Sequence, residues 1–207
     1  MLLFPDNDII LKLGSLGYLG DLEKIFNTGA SSIYILPTAR PYILNNKNLR
    51  NKYSEQALRN ILTALDNYKI IPDEYIDDKH YRSLANIEKI DSGERVLFSV
   101  NPVGKEFLVL TGDKNAIIQL SNQGNIDEIK IDLTGKIVCL EYMVLKLLDL
   151  YGINIIGQRM IEREFGGDLT LKLVFQQTDL TIAKGRDGLL SYINDLDRQT
   201  NHLLLTL

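Results

Sequence analysis

The amino-acid sequence predicts an α/β protein built on a parallel sheet. Three observations carry that prediction. Short apolar runs alternate with stretches of helical period, the runs are punctuated by glycine, proline or aspartate, and two of them end in an acid, "MLLFPD" and "EFLVLTGD". Strands separated by helices cross over and lie parallel, and parallel sheets collect ligands at the carboxyl ends of their strands.

The elements follow in order. "MLLF" reads as a buried strand that meets Asp6, with Asp8 two residues on. A carboxylate in that position is costly to desolvate unless it is paired, hydrogen-bonded or bound to a cation. Ile9 to Phe26 reads as helical material interrupted by Gly14, Gly17 and Gly20. That "GxxGxxG" spacing lacks the lysine and hydroxyl of a phosphate loop and suits a tight bend between helices. "SSIYIL", β-branched and aromatic between Gly29 and Pro37, is a second strand. From Ser54 to Tyr68 the residues Ala57, Leu58, Ile61, Leu62 and Leu65 fall at helical spacing, behind Ser54 as a cap. In "KIDSGERVLFS", Ser92 and Gly93 turn the chain into a helix with Asp91 as its cap. Glu94 then stands in the first turn, where the helix dipole favours a carboxylate. "EFLVLTGD" is a third strand ending in Asp113 and followed by a helix to Leu120, and "GKIVCL" is a fourth strand or the buried start of a helix. Near the end, Leu189, Leu190, Ile193, Leu196 and Leu203 lie on a helical repeat that packs on its own sheet or serves a homodimer or partner protein. The final "LLLTL" needs a place to dock.

With 207 residues, 45% hydrophobic and 24% charged, the chain can bury a core as one domain with an appendage or as two small domains. Cys139 is the lone cysteine, which excludes an internal disulfide and a cysteine-based zinc site and fits a reducing, cytoplasmic setting. It reads as a small core residue. The two histidines, His80 and His202, do not make a histidine-rich site, and His80 is expected to be exposed in its polar stretch. Any metal is therefore expected on oxygen ligands, as Mg2+ or Mn2+. The opening apolar run is broken by Pro5 and Asp6 and is not expected to be a signal peptide. The run from Gly135 to Gly157 carries Lys136, Glu141, Lys146 and Asp149, so no membrane span is expected there, and a buried Glu141 is explained by a salt bridge as well as by a functional role. A net charge of −4 gives no general pull toward nucleic acid. A local patch could, and Arg40, Lys47, Arg50, Lys52 and Arg59 face only Glu55 in sequence.

The order of the acidic motifs, "PDNDIILKLG", "IDSGERVLF" and "LVLTGDKNAIIQL", resembles the PIN-domain superfamily, whose members are mostly metal-dependent ribonucleases with an acidic pocket. The resemblance covers residues 1–125 and leaves 126–207 as a strand and helical region that completes or extends the core. It implies a three-layer α/β/α core around a parallel sheet, and a divalent-metal site that hydrolyses phosphodiester bonds of RNA or single-stranded DNA. It puts the catalytic, metal-holding acids on Asp6, Glu94 and Asp113, with Asp8 and Asp91 as supporting acids. Arg40, Lys47, Arg50 and Lys52 would then meet phosphates. The sequence departs from the family in "LPTARPYILNN", where the glutamate expected one helical turn beyond the proline is missing near Tyr42. Two other readings follow. One is a catalytically degenerate PIN-like interaction module. The other is a haloacid-dehalogenase-like phosphatase with Asp6 as nucleophile and Asp8 as acid, although the acid that family carries after "GD" is absent from "GDKNAIIQL".

Overall fold

The computed structural model describes residues 1–177 and 179–205. Strand β1 (Leu2–Pro5) leads directly into helix α1 (Asn7–Leu16), because Asp6 stays extended and its carboxylate caps the helix. Gly17, with φ 84°, closes α1 in the left-handed conformation that glycine adopts without steric cost. A single 3₁₀ turn precedes α2 (Leu22–Ile25). Then come β2 (Tyr34–Ile35), α3 (Ala39–Asn45), α4 (Lys47–Lys52) and α5 (Glu55–Leu65), the last capped by Ser54 Oγ, which accepts from the Ala57 N–H at 3.2 Å. The chain continues through β3 (Lys69–Ile70), α6 (Asp78–Leu84), α7 (Ser92–Phe98), β4 (Phe107–Leu110), α8 (Lys114–Asn122) and α9 (Asp127–Leu133). After β5 (Ile137–Val138), the helical run α10 (Leu140–Glu162) is broken at Gly152, and α11 (Leu169–Phe175) and α12 (Ile182–Gln199) follow.

The fold is mixed α/β with a small parallel sheet of three strands, β1, β4 and β5, with β4 in the middle. Leu3 pairs with Leu108, and Val109 with Ile137. β2 and β3 form a second parallel pair, and a parallel bridge from Leu3 to Ile33 sets β2 beside β1. The strands thus run β3, β2, β1, β4, β5 across the molecule. At the far edge Ile137 bridges Leu204: the Ile137 N–H donates to the Leu203 carbonyl, and its carbonyl accepts from the Leu205 N–H. β1 and β4 read as unbroken apolar runs because helices cover both faces, leaving Leu3, Phe4, Val109 and Leu110 with no exposed surface.

Several expectations resolve here. The third and fourth strands read from sequence are β4 and β5, and "GKIVCL" proves to be both a strand and the start of α10. β3 went unread because its two residues are exposed and carry no apolar run. The stretch from Ile9 to Phe26 splits into α1, a turn and α2. Leu189, Ile193 and Leu196 are buried where α12 packs on α10, so the C-terminal apolar stripe is used within the chain. Leu203 and Leu204 are buried at the sheet edge, and Thr206 and Leu207 of the apolar tail lie outside the described residues. Among the described residues no helix is long and apolar enough to cross a membrane. His80 is a correction. It is 6% exposed, with Nε2 3.8 Å from Asp132 Oδ2, because α6 turns this position inward while its sequence neighbours face water.

The glycines of α1 have separate jobs. A Cβ on Gly14 would stand 2.2 Å from Ile61 Cγ1, so the bare backbone lets α1 and α5 approach closely. Gly14→Ala should therefore overpack this contact and destabilise the protein by about 1–3 kcal/mol in urea unfolding. Adding Ile61→Val should recover part of the loss, and independent, additive effects of the two changes would contradict this packing.

Candidate functional site

The acids named from sequence meet at one place. A cavity of about 380 Å³ at the carboxyl ends of β1 and β4 is lined by Asp6, Asn7, Asp8, Asp91, Glu94 and Asp113, together with Leu36, Thr38 and Tyr42. β1 supplies Asp6 and β4 supplies Asp113, and the start of α7 brings Asp91 and Glu94 across from them. Glu94 makes a reciprocal cap with Asp91. Asp91 Oδ1 accepts from the Glu94 N–H, and the Asp91 N–H donates to Glu94 Oε2, both at 2.8 Å. Asp113 caps α8 by accepting from the Ala116 N–H at 3.0 Å.

Asp6 is the most constrained of the set. It is 7% exposed, and Oδ1 accepts from the Ile9 N–H at 2.6 Å. Oδ2 accepts from the Thr111 hydroxyl at 2.5 Å and from the Gly112 N–H at 3.2 Å. Thr111 Oγ1 in turn accepts from the Asp113 N–H at 3.1 Å, so one hydroxyl ties the two strand-end acids together. Burial pushes the Asp6 carboxyl up to about 7, against the pull of its three hydrogen bonds, and Asp8 adds to the rise. Burial likewise lifts Glu94 to about 7, with the charges of Asp91, Asp113 and Asp6 contributing. Asp8 differs in having its own counterion. Lys12 Nζ lies 2.7 Å from Asp8 Oδ2 and donates at 2.9 Å to Asp168 Oδ2, the N-cap of α11. Beside it, Lys114 pairs with the buried Glu141 at 2.5 Å and donates to Thr170 Oγ1 at 2.8 Å, so of the two explanations for Glu141 the structure shows the salt bridge.

The donors are hard oxygens, the chemistry Mg2+ and Mn2+ select. Asn7 Oδ1, on the same cavity wall, is buried without a hydrogen-bond partner among the described residues. Burial holds two of the carboxyls at about 7. These features fit a hard cation that keeps several of its waters. Among the described residues, however, no three acidic, histidine or cysteine side chains stand close enough to form a ready-made metal cage.

The basic residues do not form one surface. Arg40 is turned away, donating to the Leu62 carbonyl and pairing with Asp66. Lys52 lies over the Tyr53 ring and lines a different cavity, of about 440 Å³, with Arg163. Lys47 and Arg50 on α4 are exposed and make no ion pair among the described residues. Cys139 is buried, and burial pushes its thiol up to about 12, in keeping with a core role. The sequence reading passed over Thr111, Lys12 and Asp168. Lys12 was legible as a partner four residues after Asp8, whereas Asp168 lies 156 residues away and carries no local signal. Comparison with protein-family models, curated proteins and solved structures finds no match to the chain.

The raised carboxyl values set a pH dependence. Because Asp6 and Glu94 bind protons more tightly when folded, their contribution to stability is complete below about pH 4 and is lost as the pH rises through about 7. The metal-free melting temperature should fall between about pH 5 and about pH 8, and Glu94→Gln should flatten that fall. Saturating manganese should cancel it, since a cation stabilises the ionised forms. A melting temperature that climbs over the same range without metal would contradict the assignment.

Proposed function

We propose that the protein is a divalent-metal-dependent nuclease of PIN-like type that acts on RNA, with Asp6, Glu94 and Asp113 holding Mg2+ or Mn2+. The observation that carries this reading is the convergence of those three acids, from two strand ends and a helix start, on one cavity where burial holds two of them at about 7. Strand order β3, β2, β1, β4, β5, with α1 starting directly after β1, supports the three-layer α/β/α core implied by the resemblance. When bound, the ion would polarise the phosphodiester and lower the pKa of water. The chain's own groups do the rest. Thr111 and the Gly112 and Ile9 N–H groups hold Asp6 in one orientation, and the Asp91 backbone holds Glu94 opposite it. Tyr42, 40% exposed in the lining of the same cavity, offers a ring on which a base can stack. Among the described residues Lys47 and Arg50 are exposed and in no ion pair, and of the segment's basic residues they are the ones this reading assigns to phosphates.

A second reading, an interaction module that has lost catalysis, is favoured by the missing acid near Tyr42. Leu169 and Leu173, exposed on one face of α11, are then the surface for a partner. The phosphatase reading is weaker, because the acid that family carries after "GD" is absent from "GDKNAIIQL".

With manganese and single-stranded RNA, the purified protein should cut the strand, and Asp113→Asn should slow cutting by about a hundredfold or more, the scale of losing a charge-stabilising group at a reaction centre. Manganese should also raise the melting temperature of the wild type and not of Asp113→Asn. RNA binding should weaken with salt at about 0.7 log units per log unit of salt for each phosphate neutralised, and Lys47→Ala with Arg50→Ala should flatten that slope. A protein that neither binds nor cuts RNA under these conditions belongs to the second reading.

A further inference from the structure

Lys12 is an unusual residue to find beside a pocket of acids. Its side chain comes from the middle of α1, it is 9% exposed, and its ammonium is held between Asp8 at 2.7 Å and Asp168 at 2.9 Å. The space for this arrangement comes from Gly112. A Cβ there would lie 2.2 Å from Asp8 Oδ2 and 3.4 Å from Lys12 Nζ, so the Asp8 carboxylate is laid against the bare backbone of the same loop that holds Asp6. Burial opposes the charge on Lys12, and its two acids overcome this and raise its pKa. Asp8 therefore lines the cavity with its charge already matched. A divalent ion drawn to it would have to approach the Lys12 ammonium, which is itself largely buried and 2.7 Å away, and like charges at that range repel.

We propose that Lys12 is a positioning residue that withdraws Asp8 from cation binding and fastens the start of α11 to the rim of the pocket. Asp6, Glu94 and Asp113 are then left to determine what the pocket holds. This rests on the cation reading above and adds to it a reason why five acids and one lysine are built together. It also gives the lysine a role that neither substrate contact nor helix formation requires.

The test is calorimetric titration of manganese chloride into the full chain and its variants, with folding checked by circular dichroism. Asp8→Asn should leave manganese affinity within about twofold of wild type, while Asp113→Asn should weaken it by about tenfold or more. Lys12→Met with Asp168→Asn removes the ammonium and its buried counter-charge together, keeps the net charge constant and releases Asp8. This double variant should bind manganese about tenfold more tightly than wild type, and adding Asp8→Asn should remove the gain. An Asp8→Asn protein as impaired as Asp113→Asn, or a folded double variant with wild-type affinity, overturns the proposal and leaves the nuclease reading standing. If the double variant does not fold, Asp8→Asn decides alone. A wild-type protein that binds no manganese overturns both.

Discussion

The arrangement of the site depends on the three hydrogen bonds to the Asp6 carboxylate. They come from two segments about a hundred positions apart: the first turn of α1 and the Thr111–Gly112 turn after β4. The Asp6 N–H adds a fourth tie, to the Leu110 carbonyl. An ionised carboxylate is costly to bury, and each donor offsets part of that cost. The same bonds start α1 and fix the direction in which the chain leaves β4, so Asp113 emerges next to Asp6. Helix capping and site construction here are one event.

The remaining charge of the region is divided in two. On one side Asp6, Glu94, Asp91 and Asp113 line the cavity and make no ion pair among the described residues. On the other, Lys12 and Lys114 bind Asp8, Asp168 and Glu141 in pairs that join α1 and α8 to α10 and α11. Partly buried pairs of this kind add little net stability but are costly to break from one side, since the partner left behind is the more buried one for Glu141 and for Lys12. They hold the region after residue 126 in fixed register with the pocket. That region also shares one continuous apolar core with the first 125 residues.

Much of this was legible because it is local. The apolar runs of β1 and β4, the Ser54 and Asp91 caps and the stripe of α12 are short-range patterns, and burial follows from them. Asp6 and Asp113 could be placed at strand ends for the same reason. What escaped the sequence was set by distant chain. Two-residue β3 exists because it pairs with β2, and His80 is buried because of what α9 brings against it. Asp168 matters only through Lys12. The basic segment looked like one patch, yet Arg40 and Lys52 are claimed by partners that the linear order does not reveal. The three-layer core and the metal site proposed above rest on the resemblance together with the convergence of acids, and no pattern within a single element would have suggested them.

The bridge between Ile137 and Leu204 bears on how the protein comes into being at the ribosome. β5 is two residues long and, until Leu203 to Leu205 arrive, its outer row of peptide groups is unpaired, the kind of edge that templates pairing with another chain. The partner for that edge is synthesised more than sixty residues later, at a time when α10 and α12 are also still finding each other. Nascent chains thus pass through an interval with an open, apolar sheet margin, and that interval, rather than the finished fold, is where chaperone dependence and losses on overexpression would concentrate.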